Sequence, residues 1–159
     1  VQTGRDTLTM RVLLCTSNKI GARVIRWMTG SRWSHCALVL GELAVEATWP
    51  RVRKVPVQQI IDEHDESIMI DIPCKDNASA FYKALQQVGK PYDLTALIGW
   101  LSGRNWQEDD AWFCSELVAW AFEQGGSPLF RDGVLSRVTP QNLWMVRPQN
   151  LKTMRTVHA

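Results

Sequence analysis

The chain has 159 residues, 45% of them hydrophobic, enough to bury a sizeable core in one domain, and its 18 basic and 16 acidic side chains nearly cancel to a formal charge of +2. That balance offers no overall field for a nucleic-acid partner, no run reaches the ~18 apolar residues that span a bilayer, and the N-terminus shows no signal-peptide core. Cysteines at 15, 36, 74 and 114 form no CxxC or CxxH pair, so the spacing opposes a zinc site; no metal or cofactor is expected, and Cys15 and Cys36, in apolar strand-like runs, read as buried reduced thiols, with a disulfide as the alternative.

Residues 1–9 read as a flexible N-terminal segment and 10–159 as a single α+β domain. Thr9 to Cys15 has strand character, and Ser17 or Asn18 can cap a helix reaching about Met28. Ile20, Val24, Trp27 and Met28 form its apolar stripe, expected to be buried, with Lys19, Arg23 and Arg26 on a solvated side. His35 to Leu40 and Leu43 to Thr48 flank Gly41-Glu42, a hairpin signal. Centring the turn there pairs Leu40 with Leu43 and puts Cys36, Leu38, Leu40, Leu43, Val45 and Ala47 on one apolar face. His35 and Glu46 then share the other face as diagonal neighbours, roughly 7 to 8 Å apart along the backbone, so a carboxylate can orient the imidazole.

Pro50 to Pro56 carries Arg51, Arg53 and Lys54, either a solvated edge strand or a rim for an anionic substrate. Gln58 to Glu66 suggests a short helix and loop, with His64 exposed among acidic residues. Ser67 to Ile72 is a strand ended by Pro73. Asn77 is expected to cap a helix from Ala78 to Val88 with Phe81, Ala84, Leu85 and Val88 inward, and Tyr92 to Leu101 to form a short apolar helix. After a polar loop, Asp109 and Asp110 can start a helix whose inward face is Phe113, Leu117, Trp120 and Ala121, ended by Gly125-Gly126. Cys114 falls in its first turn, where unpaired N–H groups favour a thiolate. Thr139-Pro140 begins a helical turn, and Lys152 to Val157 closes the chain as a strand.

A thiol hydrolase needs a nucleophilic sulfur, an imidazole that ionises it and protonates the leaving group, and a polar group that orients the ring. Cys114, His35 and Glu46 supply that set. The chain resembles the circularly permuted papain-like hydrolases, the YiiX-like and lecithin retinol acyltransferase-like relatives of the NlpC-type cell-wall peptidases. The resemblance rests on Trp33-Ser34-His35-Cys36-Ala37-Leu38-Val39, Val45-Glu46-Ala47, Gly89-Lys90-Pro91-Tyr92-Asp93 and Phe113-Cys114-Ser115-Glu116-Leu117-Val118, within residues 10–146.

The resemblance implies an antiparallel sheet packed against helices, with His preceding Cys as in the permuted group. It implies Cys114 as nucleophile, His35 as general base and acid, and Glu46 as orienting residue. Tyr92, with Trp33 and Trp112 beside the two motifs, is the expected substrate-binding set. Where the family often has Trp-Gly-Gly after the Tyr, this chain has Asp93-Leu94-Thr95, so the cleft there is not inherited from cell-wall peptidases. The implied substrate is a peptidoglycan peptide first and a lipid ester or N-acyl amide second. The rival from another class is a non-catalytic component of a phage tail or secretion assembly; location is expected to be cytoplasmic or within such an assembly.

Overall fold

The computed structural model describes residues 8–94, 111–148 and 153–157. Six strands form one sheet in the order β4-β3-β2-β1-β5-β6: β1 Thr9–Thr16, β2 His35–Leu40, β3 Leu43–Ala47, β4 Val52–Pro56, β5 Glu66–Pro73 and β6 Thr153–Val157. All paired strands are antiparallel. Around them run α1 (Ile20–Thr29), α2 (Val57–Asp62), α3 (Asn77–Leu85), α4 (Cys114–Gln124) and α5 (Pro140–Val146).

Helices α3 and α4 cover one face of the sheet, where Met10, Val12, Leu14, Cys36, Leu38, Val45 and Ile70 meet Phe81, Leu117, Val118 and Phe122. The other face is apolar as well. There Leu13, Cys15, Ala37, Val39, Ala44 and Met69 pack with Ile60 of α2. The runs HCALVL and MRVLLC therefore contain little polar residue to alternate, as expected for strands covered on both sides. The hairpin forms in the predicted register, with Leu38 opposite Val45, Val39 opposite Ala44 and Leu40 opposite Leu43. That register leaves His35 at the beginning of β2 and Glu46 near the end of β3.

Several expectations are corrected. Thr9 begins β1 and pairs with Pro73, as its strand reading had it, and Leu8 just before the strand is tied in through its carbonyl, which accepts from Cys74 N–H at 2.8 Å. The stripe of α1 points outward. Ile20 is 80% and Trp27 78% exposed, and no residue of this helix is fully buried; Ile25 is the side chain that packs on the core. Asp76, not Asn77, caps α3, its carboxylate accepting from Ser79 N–H at 2.8 Å, and Val88 lies beyond the helix and exposed. Helix α4 begins at Cys114 with Phe113 as N-cap and no side-chain cap. The proposed caps Asp109 and Asp110, and nearly all of the expected 92–101 helix, lie outside the described residues.

The end of α4 requires glycine for close approach rather than for backbone angle. A Cβ on Gly125 would stand 2.8 Å from the Asp76 carbonyl oxygen, 2.9 Å from Ala80 Cβ and 2.9 Å from Cys74 Sγ. Packing this tight cannot absorb a methyl without moving α3 from α4. Gly125→Ala is expected to destabilise the fold by about 1–3 kcal/mol in a urea titration, although the same change inside a helix usually helps; equal or greater stability would contradict this packing.

Candidate active site

The hairpin and the start of α4 meet at the end of β2. His35 Nε2 and Glu46 Oε2 form a short hydrogen bond, both residues being buried and Glu46 only 1% exposed. The second Glu46 oxygen accepts from Arg53 Nε at 2.6 Å, and Arg53 Nη2 continues to Glu63 Oε2 at 2.6 Å. Arg53 stands directly opposite Glu46 in the β3–β4 ladder. It is thus a structural counterion of the buried carboxylate, not part of a rim for an anionic substrate.

His35 also hydrogen-bonds the Cys114 side chain. With Nε2 committed to Glu46, the nitrogen facing sulfur is Nδ1. The sulfur takes further hydrogen bonds from the Cys36 thiol and the Cys36 backbone. Burial alone would raise the Cys114 pKa, but these donors and the His35 charge lower it to about 5. Burial would likewise depress His35, yet the Glu46 charge, then the bonds to Cys114 and Glu46, lift it to about 10. Burial raises Glu46; His35 and then Arg53 overcome it and bring it to about 2. At neutral pH the pair is a thiolate beside an imidazolium. Cys36, buried beside them, is pushed up and stays a thiol able to donate its S–H.

His64 was expected to be exposed. It is half-buried, stacked on His35 with ring centroids 5.4 Å apart and planes 4° from parallel. Its Nδ1 donates to the Ile60 carbonyl at 2.7 Å, while burial and the adjacent His35 charge lower its pKa. A neutral ring on the cation fixes the plane of His35 without competing for the proton. Behind the sulfur, the Glu116 carboxylate accepts from Phe113 N–H, and burial with nearby Asp93 raises it to about 7. This bond from the third helical residue back to the N-cap is half of a capping box and holds the helix start in place.

A cleft of about 610 Å³ opens over His35, lined among others by Lys19, Val24, Ile25, Trp49, Tyr92 and Leu94. Cys114 is 1% exposed and lies beneath, not among the lining residues. Tyr92 is among the residues that line the cleft. Trp33 is not: it is 1% exposed in the core, 5.8 Å from the Trp144 ring, too enclosed to touch a ligand. Trp112 is also turned away, packed on Trp120 and donating to Gln87 Oε1 at 3.2 Å. Sequence reasoning missed Trp49 in their stead, because nothing marked the 48–51 connection as a cleft wall.

The chain belongs to the permuted papain-like amidases, the YaeF/YiiX or C92 family, whose model matches residues 12–155. It is accordingly a hydrolase of the cysteine peptidase and amidase type. Among solved structures, metalloprotein yiiX from Escherichia coli O157:H7 is similar in fold, with a TM-score of 0.68 at 20% sequence identity over 92% of this chain and 95% of that one. No curated protein sequence matches.

The lowered thiol has a direct consequence. Iodoacetamide is expected to alkylate Cys114 before Cys15, Cys36 or Cys74, at a rate that rises as pH passes about 5 and is flat above it. In Glu46→Gln the rise moves to higher pH, because His35 loses the charge that keeps it protonated. Peptide mapping that finds Cys74 labelled first, or a rate that rises only near the ordinary thiol pKa, contradicts this.

Proposed function

We propose that Cys114 is the nucleophile of an amidase that works through an acyl-enzyme, with His35 as proton carrier and Glu46 as the group that orients it. The observation that carries this is the chain of contacts from half-buried Arg53 through the buried Glu46 carboxylate to His35, whose ring interacts with the buried Cys114 side chain. The thiolate attacks the amide carbon, and the charge on the carbonyl oxygen is met by the Cys114 backbone N–H, which in a first helical turn has no intrahelical acceptor. As the C–N bond breaks, the His35 imidazolium gives its proton to the departing amine. Neutral His35 then takes a proton from water, whose oxygen attacks the thioester, and sulfur leaves as thiolate beside a restored imidazolium.

The resemblance to cell-wall peptidases supports a peptidoglycan peptide as substrate. The cleft favours the other class. Peptidoglycan stem peptides carry carboxylates, whereas among the described residues the lining contributes Lys19 and, over the sulfur, the His35 imidazolium against Val24, Ile25, Trp49 and Leu94. We therefore take an amide bearing an apolar acyl group as the better fit, with Tyr92 and Trp49 flanking the chain near the scissile bond. The similar yiiX structure is described as that of a metalloprotein. Here the Glu46 oxygens are taken by His35 and by Arg53, a cation that opposes a metal ion, and among the described residues no three His, Cys, Asp or Glu side chains group as ligands.

Activity is to be measured on N-acyl amides and on peptidoglycan fragments. Cys114→Ala should fold normally and lose turnover, while Glu46→Gln should lose about a hundredfold or more in kcat yet retain measurable rate. The profile of kcat/KM should be a bell, rising through about 5 as Cys114 ionises and falling through about 10 as His35 loses its proton. Faster turnover of peptidoglycan fragments than of acyl amides would reverse the substrate choice. Turnover by folded Cys114→Ala would remove the nucleophile assignment, and inactivity of the parent on both classes would favour a scaffold.

A further inference from the structure

Helix α1 presents to solvent the side that amphipathic helices ordinarily bury. Ile20, Val24 and Trp27, at i, i+4 and i+7, are all exposed, and with Arg23 they line a groove of about 350 Å³. Val24 also lines the cleft over His35, whose other walls include exposed Trp49 and Leu94. Apolar surface is thus continuous from Trp27 to the cleft mouth. Lys19, Arg23 and Arg26 are spread along the same segment, which has no acidic residue, and among the described residues neither arginine forms an ion pair.

We propose that this face of α1 docks the protein on an anionic lipid surface and sets the cleft mouth against it. A short helix with Trp and branched aliphatic residues outward and basic residues between them has the composition of an interfacial helix: the apolar side chains enter the headgroup boundary and the cations meet lipid phosphates. Trp suits this position because its ring is apolar and its N–H polar. Charge argues against a second copy as the cover, since a two-fold contact would bring Arg23 and its neighbours against their own equivalents without a counterion. Docking needs no turnover, so the proposal stands apart from the amidase reading.

Flotation with lipid vesicles tests it. The parent should float with vesicles of phosphatidylcholine and phosphatidylglycerol at about three to one and bind at least about tenfold more weakly to phosphatidylcholine alone or at high salt. Arg23→Glu should weaken binding by about fivefold or more, and the double variant Ile20→Ala, Trp27→Ala by about tenfold or more. Both variants change exposed side chains outside the cleft lining, and unaltered alkylation of Cys114 certifies their fold. Cys114→Ala should bind like the parent. A parent that stays in solution with both vesicles, a double variant that floats as well as the parent, or a parent dimer that dissociates in the double variant without any vesicle binding would each overturn the proposal.

Discussion

Glu46 is a charge in a place that ordinarily excludes one. A carboxylate with almost no exposure costs several kcal/mol when left alone, and here each oxygen has a cationic partner, His35 on one side and Arg53 on the other. Arg53 cannot give up its proton, so the carboxylate stays ionised whatever His35 does. That permanence makes the rest possible. An imidazole wedged against a fixed negative charge keeps its proton, and the retained proton stabilises the Cys114 thiolate at its other nitrogen. Removing Arg53 would act on the sulfur three links of the network away, without Arg53 touching it.

The network spans pieces of chain far apart in sequence: the hairpin brings His35, Glu46 and, through the next strand, Arg53, while α4 brings the sulfur. Packing of α4 on β2 and β3 is therefore more than core formation, because it sets the distance from Sγ to the ring. Glu116 contributes from the helix side by binding the Phe113 N–H, and Ser115 Oγ anchors the same turn to the Val138 carbonyl at 2.5 Å. The first turn of α4 is tied at its own residues, which holds the Cys114 sulfur in place.

The hairpin was legible because a one-residue slip would have moved Glu46 onto the apolar face, an outcome the pattern of Cys36, Leu38, Val45 and Ala47 opposes. Cys114 was legible because period and glycine stops delimit its helix. Arg53 was not, since the connection from Thr48 to Val52 is no tight turn and carries no register; only the β3–β4 pairing puts Arg53 opposite Glu46. The cap of α3 was misassigned because Asp76 and Asn77 satisfy the same preference, and that of α4 because its N-cap, Phe113, carries no capping side chain to mark it. The error at α1 is of another kind. Periodicity reveals that a helix has an apolar side but not which way that side faces, and the usual inference that it faces inward holds only where nothing else is gained by exposing it.

Cys36 was read correctly as a buried strand residue and still understated. Alternation along β2 sends His35 and Cys36 to opposite faces of the sheet, and α4 lies on the Cys36 side. For the His35 ring to reach the same sulfur, it must come around the end of the sheet, which is open to it because β2 begins at His35. A histidine one or two turns of pleat further along β2 would be walled off by the sheet itself. The site therefore belongs at a strand end over a helix N-terminus, where donors from both faces converge: Nδ1–H from one side, the Cys36 S–H and backbone from the other. The thiolate is enclosed by these donors, and the cleft lined by His35 and Tyr92 is the described opening nearest to it.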